Sequence, residues 1–203
     1  MRRPPGPARE DVERDRPLRD VAQPGLRVLF VGINPSLASA AAGHHFAGPG
    51  NPFWRLLYAA GLTPVLLRPQ DDVRLVEFGL GITNLCARAT RSAAELSRDE
   101  QERGAGELRT KIAALAPRWV ALVGLSLYPV VFPGGAERGP GAKRVRIAGA
   151  RVYVLPNPSG LNASYPGFTH KLVWFERLRR VIGKGAPRSG GRDDGGAGAE
   201  PRR

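Results

Sequence analysis

Residues 28–31 (VLFV) and 119–123 (WVALV) are apolar at every position. A strand with no polar face must be covered on both sides, so these runs predict interior strands of a sheet sandwiched between helices. Two shorter apolar stretches, 79–85 (GLGITNL) and 152–155 (VYVL), read as further strands, the second closing a hairpin around Gly149. Helical patterns fall between them. Residues 52–60 carry Asn51 as a candidate N-cap, Pro52 at the first helical position and Gly61 just past the end. Residues 98–116 are amphipathic with acidic groups in the first turn, softly broken by glycines, while 125–132 and 168–182 complete the set. This alternation predicts an α/β fold: a single-domain, three-layer α/β/α arrangement around a central, mostly parallel sheet. Ligands of such sheets bind beyond the carboxyl ends of the strands. The loops after Val31, Ile82 and Leu155 are therefore the candidate site loops, and all three contain asparagine.

Composition separates a body from two tails. Residues 1–20 are charged and proline-rich, and residues 183–203 are rich in Gly, Ala and Arg. Neither stretch can bury enough apolar surface to offset the entropy of ordering, so both are expected to be disordered around a domain at 21–182. Within 21–182 there are 20 basic and 10 acidic residues, so +10 of the chain's +13 belongs to the body. A body this basic suits a polyanionic partner, nucleic acid first, or reflects a proteome that favours arginine. Cys86 is the single cysteine, which excludes a disulfide framework and a cysteine-rich zinc or iron–sulfur site. The absence of a long apolar run and of a secretory h-region leads to the expectation of a cytoplasmic protein without a membrane span.

After Val31 about twenty residues precede the next clear helix, where ~4–6 is usual. Asn34 precedes a proline, which restricts it to extended or turn geometry and gives its amide a fixed direction. It either closes an Asx-type turn or holds and aims a water. His44 and His45 are adjacent, so they diverge and make a poor metal pair, and no acidic or thiol side chain stands near them in sequence. Phe46 sits among histidines and glycines without apolar periodicity, as a core plug or as a stacking platform for a planar ligand. In the loop 156–162 (PNPSGLN), Leu161 is either packed locally or a wedge for a base stack. GxSxG, HExxH and P-loop patterns are absent, and no Asp or Glu follows the first strand before Asp71.

Gly32-Ile33-Asn34-Pro35, then residues 43–54 (GHHFAGPGNPFW), then Gly81-Ile82-Thr83-Asn84, and finally Asn157-Pro158-Ser159-Gly160-Leu161 form an ordered set. Together they resemble the mismatch-specific uracil/thymine-DNA glycosylases, a branch of the uracil-DNA glycosylase superfamily, over roughly residues 24–182. The resemblance implies a monofunctional hydrolase, with neither metal nor cofactor, that flips uracil from DNA and cleaves its N-glycosidic bond in base excision repair. Mispaired thymine and other modified bases are possible further substrates. It implies Asn34 as the catalytic, water-positioning residue. The base pocket would be formed by Ile33, Ser36, Ser39, His45, Phe46 and Asn84, with Phe46 stacking on the base. Ser159, Gly160, Leu161 and Asn162 would enter the duplex, Leu161 filling the vacated space. The implied partner is DNA with uracil or G·U/G·T mispairs, bound by a monomer associated with the nucleoid.

Two departures bear on specificity. Ser36 stands where the family commonly has glycine, and Asn162 begins a less basic flank than is usual there. The alternative from a different class is a non-catalytic DNA-lesion or nucleotide-binding module on the same fold. A hydrolase of free nucleosides would need neither a wedge nor a strongly basic body.

Overall fold

The computed structural model describes residues 17–159 and 164–183. The chain runs β1 (Val28–Gly32), α1 (Leu37–Ala42), α2 (Phe53–Ala59), a 3-10 segment (Pro69–Phe78), β2 (Leu80–Asn84), a 3-10 turn (Ala93–Glu95), α3 (Arg98–Leu115), β3 (Trp119–Val123), α4 (Leu127–Val131), the hairpin β4 (Gly141–Ile147) and β5 (Ala150–Leu155), and α5 (Thr169–Gly183). The five strands lie in the order β2-β1-β3-β5-β4. All neighbours are parallel except β4 and β5. This is the single-domain α/β architecture with helices on both faces that the apolar strands require.

Alternation along each strand sorts the core into two layers. Phe30, Ala121, Tyr153 and Leu155 face α2 and α5, meeting Phe53, Leu56, Leu57, Phe175 and Leu178. Leu29, Val31, Val120, Leu122, Val152 and Val154 face the other way, onto Leu108, Ile112, Leu127 and Val131 of α3 and α4. Each fully buried aliphatic side chain contributes about 1.5–3 kcal/mol, so the sheet is held from both sides.

From β1 the chain passes to β2 on one flank and then crosses to β3 on the other. The strand order thus reverses at β1, and a crevice opens between the ends of β1 and β3.

Several local readings are corrected by the structure. The stretch after β1 is not wholly irregular, because α1 forms within it, capped by Ser36. The glycines of α3 do not break it. A Cβ on Gly104 would lie 2.3 Å from the Leu85 carbonyl oxygen, so that glycine lets the helix lie against the chain leaving β2. The N-cap of α2 is Pro52 and not Asn51, which lies one residue before it, yet the Asn51 Oδ1 still accepts the Phe53 N–H at 3.0 Å.

Residues 17–20 fall within the expected tail by composition but are engaged with the body. Asp20 pairs with Lys111 at 2.6 Å and accepts from the Thr83 hydroxyl at 2.5 Å. Val21 makes an antiparallel bridge with Ile82 on the outer edge of β2. Among the described residues, no helix is long and apolar enough to cross a membrane.

Candidate active site

A cavity of about 670 Å³ occupies the crevice at the strand ends. It is built from four loops, not the three expected. The loop after β3 (Gly124, Leu125, Ser126) joins those following β1, β2 and β5. Gly124 sits at φ 127° and its N–H bonds the Leu155 carbonyl at 2.9 Å, which draws the exits of β3 and β5 together. An apolar strand end carries no side-chain signal for this, so the fourth loop was illegible in the sequence.

Asn34 lines the cavity. Its Nδ2 donates to the Arg88 carbonyl at 2.9 Å and to the Thr90 hydroxyl at 2.6 Å. A carbonyl oxygen can only accept, so the amide orientation is determined. Thr90, which is buried, passes its own hydrogen to the Ser92 carbonyl at 2.8 Å. Both N–H groups of Asn34 are thus consumed, and among the described residues no donor meets its Oδ1. The bonds exist because β1 and β2 stay paired beyond their ends: Leu85 N–H bonds Gly32, Cys86 bonds Ile33 (both 2.8 Å) and Thr90 bonds Pro35 (3.1 Å). Arg88 and Thr90, unremarked in the sequence, are therefore the residues that orient Asn34.

Phe46 also lines the cavity and has the left-handed φ of 52°, rare for a non-glycine residue. Such a conformation costs about 1–2 kcal/mol and persists only where neighbours over-determine it. Here they do. Ala47 N–H donates to the buried Ser39 hydroxyl at 3.1 Å, His45 N–H to Asp72 at 3.2 Å, and Trp54 Nε1–H to the His45 carbonyl at 3.2 Å. The Phe46 ring stacks on Phe53 with centroids 3.9 Å apart and planes 19° from parallel. One ring face rests on the core, and the residue still borders the cavity.

The other expected pocket residues divide. Ile33 and Ser36 line the cavity. The Ser36 hydroxyl caps α1 by accepting the Ser39 N–H at 3.1 Å and donates to Ser39 Oγ at 3.0 Å. Ser39 itself is buried behind the wall, bracing the Phe46 loop. Asn84 lies across from Gly32 in the β1–β2 register, with its Oδ1 2.5 Å from where a Gly32 Cβ would stand.

His45 does not border the cavity. It is buried, and its Nε2–H donates to the Arg19 carbonyl at 3.0 Å. Burial holds its pKa below the ordinary imidazole value, so the ring is neutral with the proton on Nε2. His44 Nδ1–H meets the Asp72 carboxylate at 3.3 Å. The acidic neighbour absent from the local sequence thus arrives from the 3-10 segment, and serves to fasten the loop. Among the described residues, no group of three or more His, Cys, Asp or Glu could hold a metal ion.

Asn157 and Ser159 border the cavity, the Asn157 Oδ1 accepting from the Ser159 N–H at 2.9 Å in an Asx turn. The buried Lys171 ammonium donates to the Ser159 carbonyl at 3.1 Å and ties this loop to α5. Gly160, Leu161 and Asn162 lie outside the described residues. Among the described residues, the cavity lining contains no Asp, Glu, His or Lys, and Arg91 is its one charged side chain.

A cavity at the strand switch point, with a fixed amide oxygen, an aromatic ring and, among the described residues, no carboxylate, imidazole or amine in its lining, is suited to binding a flat polar ring and placing a water beside it. Residues 19–179 match the family model described as the uracil DNA glycosylase superfamily, whose members are DNA glycosylases that hydrolyse N-glycosyl bonds in uracil-containing DNA. The chain belongs to that superfamily.

Proposed function

We propose that this protein is a mismatch-specific uracil/thymine-type glycosylase. It flips uracil, and in some contexts a mispaired thymine or other modified base, into the cavity and hydrolyses its N-glycosidic bond. The observation that carries this reading is Asn34: with both N–H groups occupied by Arg88 and Thr90, its Oδ1 is the acceptor left for the attacking water. Accepting one hydrogen of that water turns the oxygen lone pair toward C1′. The C1′–N1 bond breaks with its electron pair going to the base, the water oxygen bonds C1′, and the water's proton passes to solvent or the departing base. Among the described residues, the cavity lining has no carboxylate or imidazole to take that proton. The chemistry therefore leans on a dissociative departure of the uracil anion and on donors at its edge from the backbone around Ile33 and Phe46. Phe46 supplies the stacking face, braced from behind by Phe53.

Extrusion costs a few kcal/mol, least at a mispair, so G·U should be processed ahead of A·U. Ser159 to Asn162 would enter the duplex, with Leu161 as the wedge. The protein would act as a monomer in base excision repair at the cytoplasmic nucleoid, consistent with a body of net charge +10.

The test is incubation with G·U and A·U duplexes and single-stranded uracil DNA, followed by alkali. Scission at the uracil, strongest for G·U, is expected. Binding without scission on any of the three would instead identify a non-catalytic lesion-binding module.

A further inference from the structure

Arg88 has two unrelated attachments. Its carbonyl accepts from Asn34 Nδ2 at 2.9 Å. Its guanidinium reaches away from the cavity to α3, donating from Nε and Nη2 to the two Glu100 oxygens at 2.7 and 3.1 Å, and from Nη2 to the Glu95 carbonyl at 2.8 Å. Glu100 is itself immobilised. It closes the capping box of α3, accepting the Ser97 N–H at 2.9 Å while the Ser97 hydroxyl accepts the Glu100 N–H at 3.1 Å. The Arg88 guanidinium, then the Ser97 N–H, hold the Glu100 carboxyl down to about 2, so the pair stays charged at any physiological pH.

An ion pair this exposed contributes little to global stability. Its consequence is local. The segment between β2 and the 3-10 turn has no regular secondary structure, and Ala87 and Arg88 are exposed. Backbone bonds pin the segment at Cys86 and Thr90, and between those two points the Arg88 side chain is the further anchor of the carbonyl that receives Asn34.

We propose that the Arg88–Glu100 pair is a positioning device for the reaction: it fixes the Arg88 carbonyl against the first turn of α3 and thereby the direction of the Asn34 amide. This rests on the glycosylase reading of Asn34. The effect on the chemical step follows from how steeply rate depends on placement, where a 1 Å error costs on the order of a hundredfold.

The experiment is a double-mutant cycle under single-turnover conditions on a G·U duplex, with affinity measured separately on DNA that resists cleavage. Arg88→Ala should slow cleavage roughly tenfold to a hundredfold while affinity is unchanged. Glu100→Gln, which retains a side chain able to cap α3, should slow it in the same direction, and serves if Arg88→Ala fails to fold. Arg98→Ala, which removes another ion pair of α3 (with Glu102), should have no effect. In an Asn34→Ala background, Arg88→Ala should cause no further loss, because the brace acts only through that amide. Full cleavage by Arg88→Ala and Glu100→Gln, or losses that multiply with Asn34→Ala, would overturn the device while leaving the glycosylase reading intact. Wild-type cleavage by Asn34→Ala would overturn both the device and the water-placing role of Asn34, whereas the glycosylase reading itself falls only if the parent chain fails to cleave uracil DNA.

Discussion

Asn84 Oδ1 lies 2.5 Å from the position a Cβ on Gly32 would take, and the Phe46 ring edge lies 3.7 Å from the same point. The last residue of β1 must therefore be glycine for the Asn84 amide and the Phe46 ring to keep their places beside it, although Asn84 itself does not line the cavity. Gly32→Ala should cost about 1–3 kcal/mol by overpacking and displace Asn84. Thermal melts of Gly32→Ala, Asn84→Ala and the double variant check this. The double variant should recover most of the loss, since the two side chains compete for one volume.

Asn34→Ala should lower cleavage on the order of a hundredfold with DNA affinity retained. Asn34→Asp is the sharper variant. A carboxylate cannot donate, so its oxygen would face the Arg88 carbonyl across 2.9 Å. The introduced acid would then need its proton to remain bonded, which raises its pKa in the folded state. Stability is then present at low pH and lost as pH rises through that raised value. Asn34→Asp should melt earlier at pH 8 than at pH 5 relative to the parent chain, and should not cleave faster at pH 7.

Phe46→Ala should reduce kcat/KM for uracil DNA between fivefold and a hundredfold, as stacking on a base contributes about 1–3 kcal/mol. Phe46→Gly would relieve the left-handed backbone but lose the same ring. If stacking is what matters, its kinetics should match those of Phe46→Ala while its melting temperature is higher.

His45 links the loop to Arg19 and titrates below its ordinary value of 6.5. Below pH 6.5 the unfolded chain binds a proton that the folded chain resists, so stability falls on acidification through that window, by at most about 1.4 kcal/mol per pH unit. Replacing His45 by Gln removes this contribution. Melts from pH 7.5 to 5 should show a shallower decline for His45→Gln than for the parent chain.

Leu161→Ala should impair cleavage at A·U more than at G·U or in single-stranded DNA, because only the well-paired base needs a filler to stay out of the stack. Equal impairment on all three would exclude a wedge.

Uninterrupted apolar strands, with helical patterns between them, pointed to a mostly parallel sheet covered on both faces, and residues 28–31 and 119–123 are buried there. The same reading pointed to the strand ends, while the local pattern around Asn34 and Phe46 left a structural role open for each and only the family resemblance selected them; both line the cavity. Direction and company were decided only by the tertiary structure. Arg88 and Thr90 reach Asn34 because β1 and β2 remain paired past their ends. Asp72 reaches both histidines because the 3-10 segment folds back over their loop. His45 turned out to face the packed N-terminal segment and not the cavity. A local sequence states which residues can donate, accept or stack, but which partner satisfies them is a long-range pairing, and neighbours in the chain carry no trace of it.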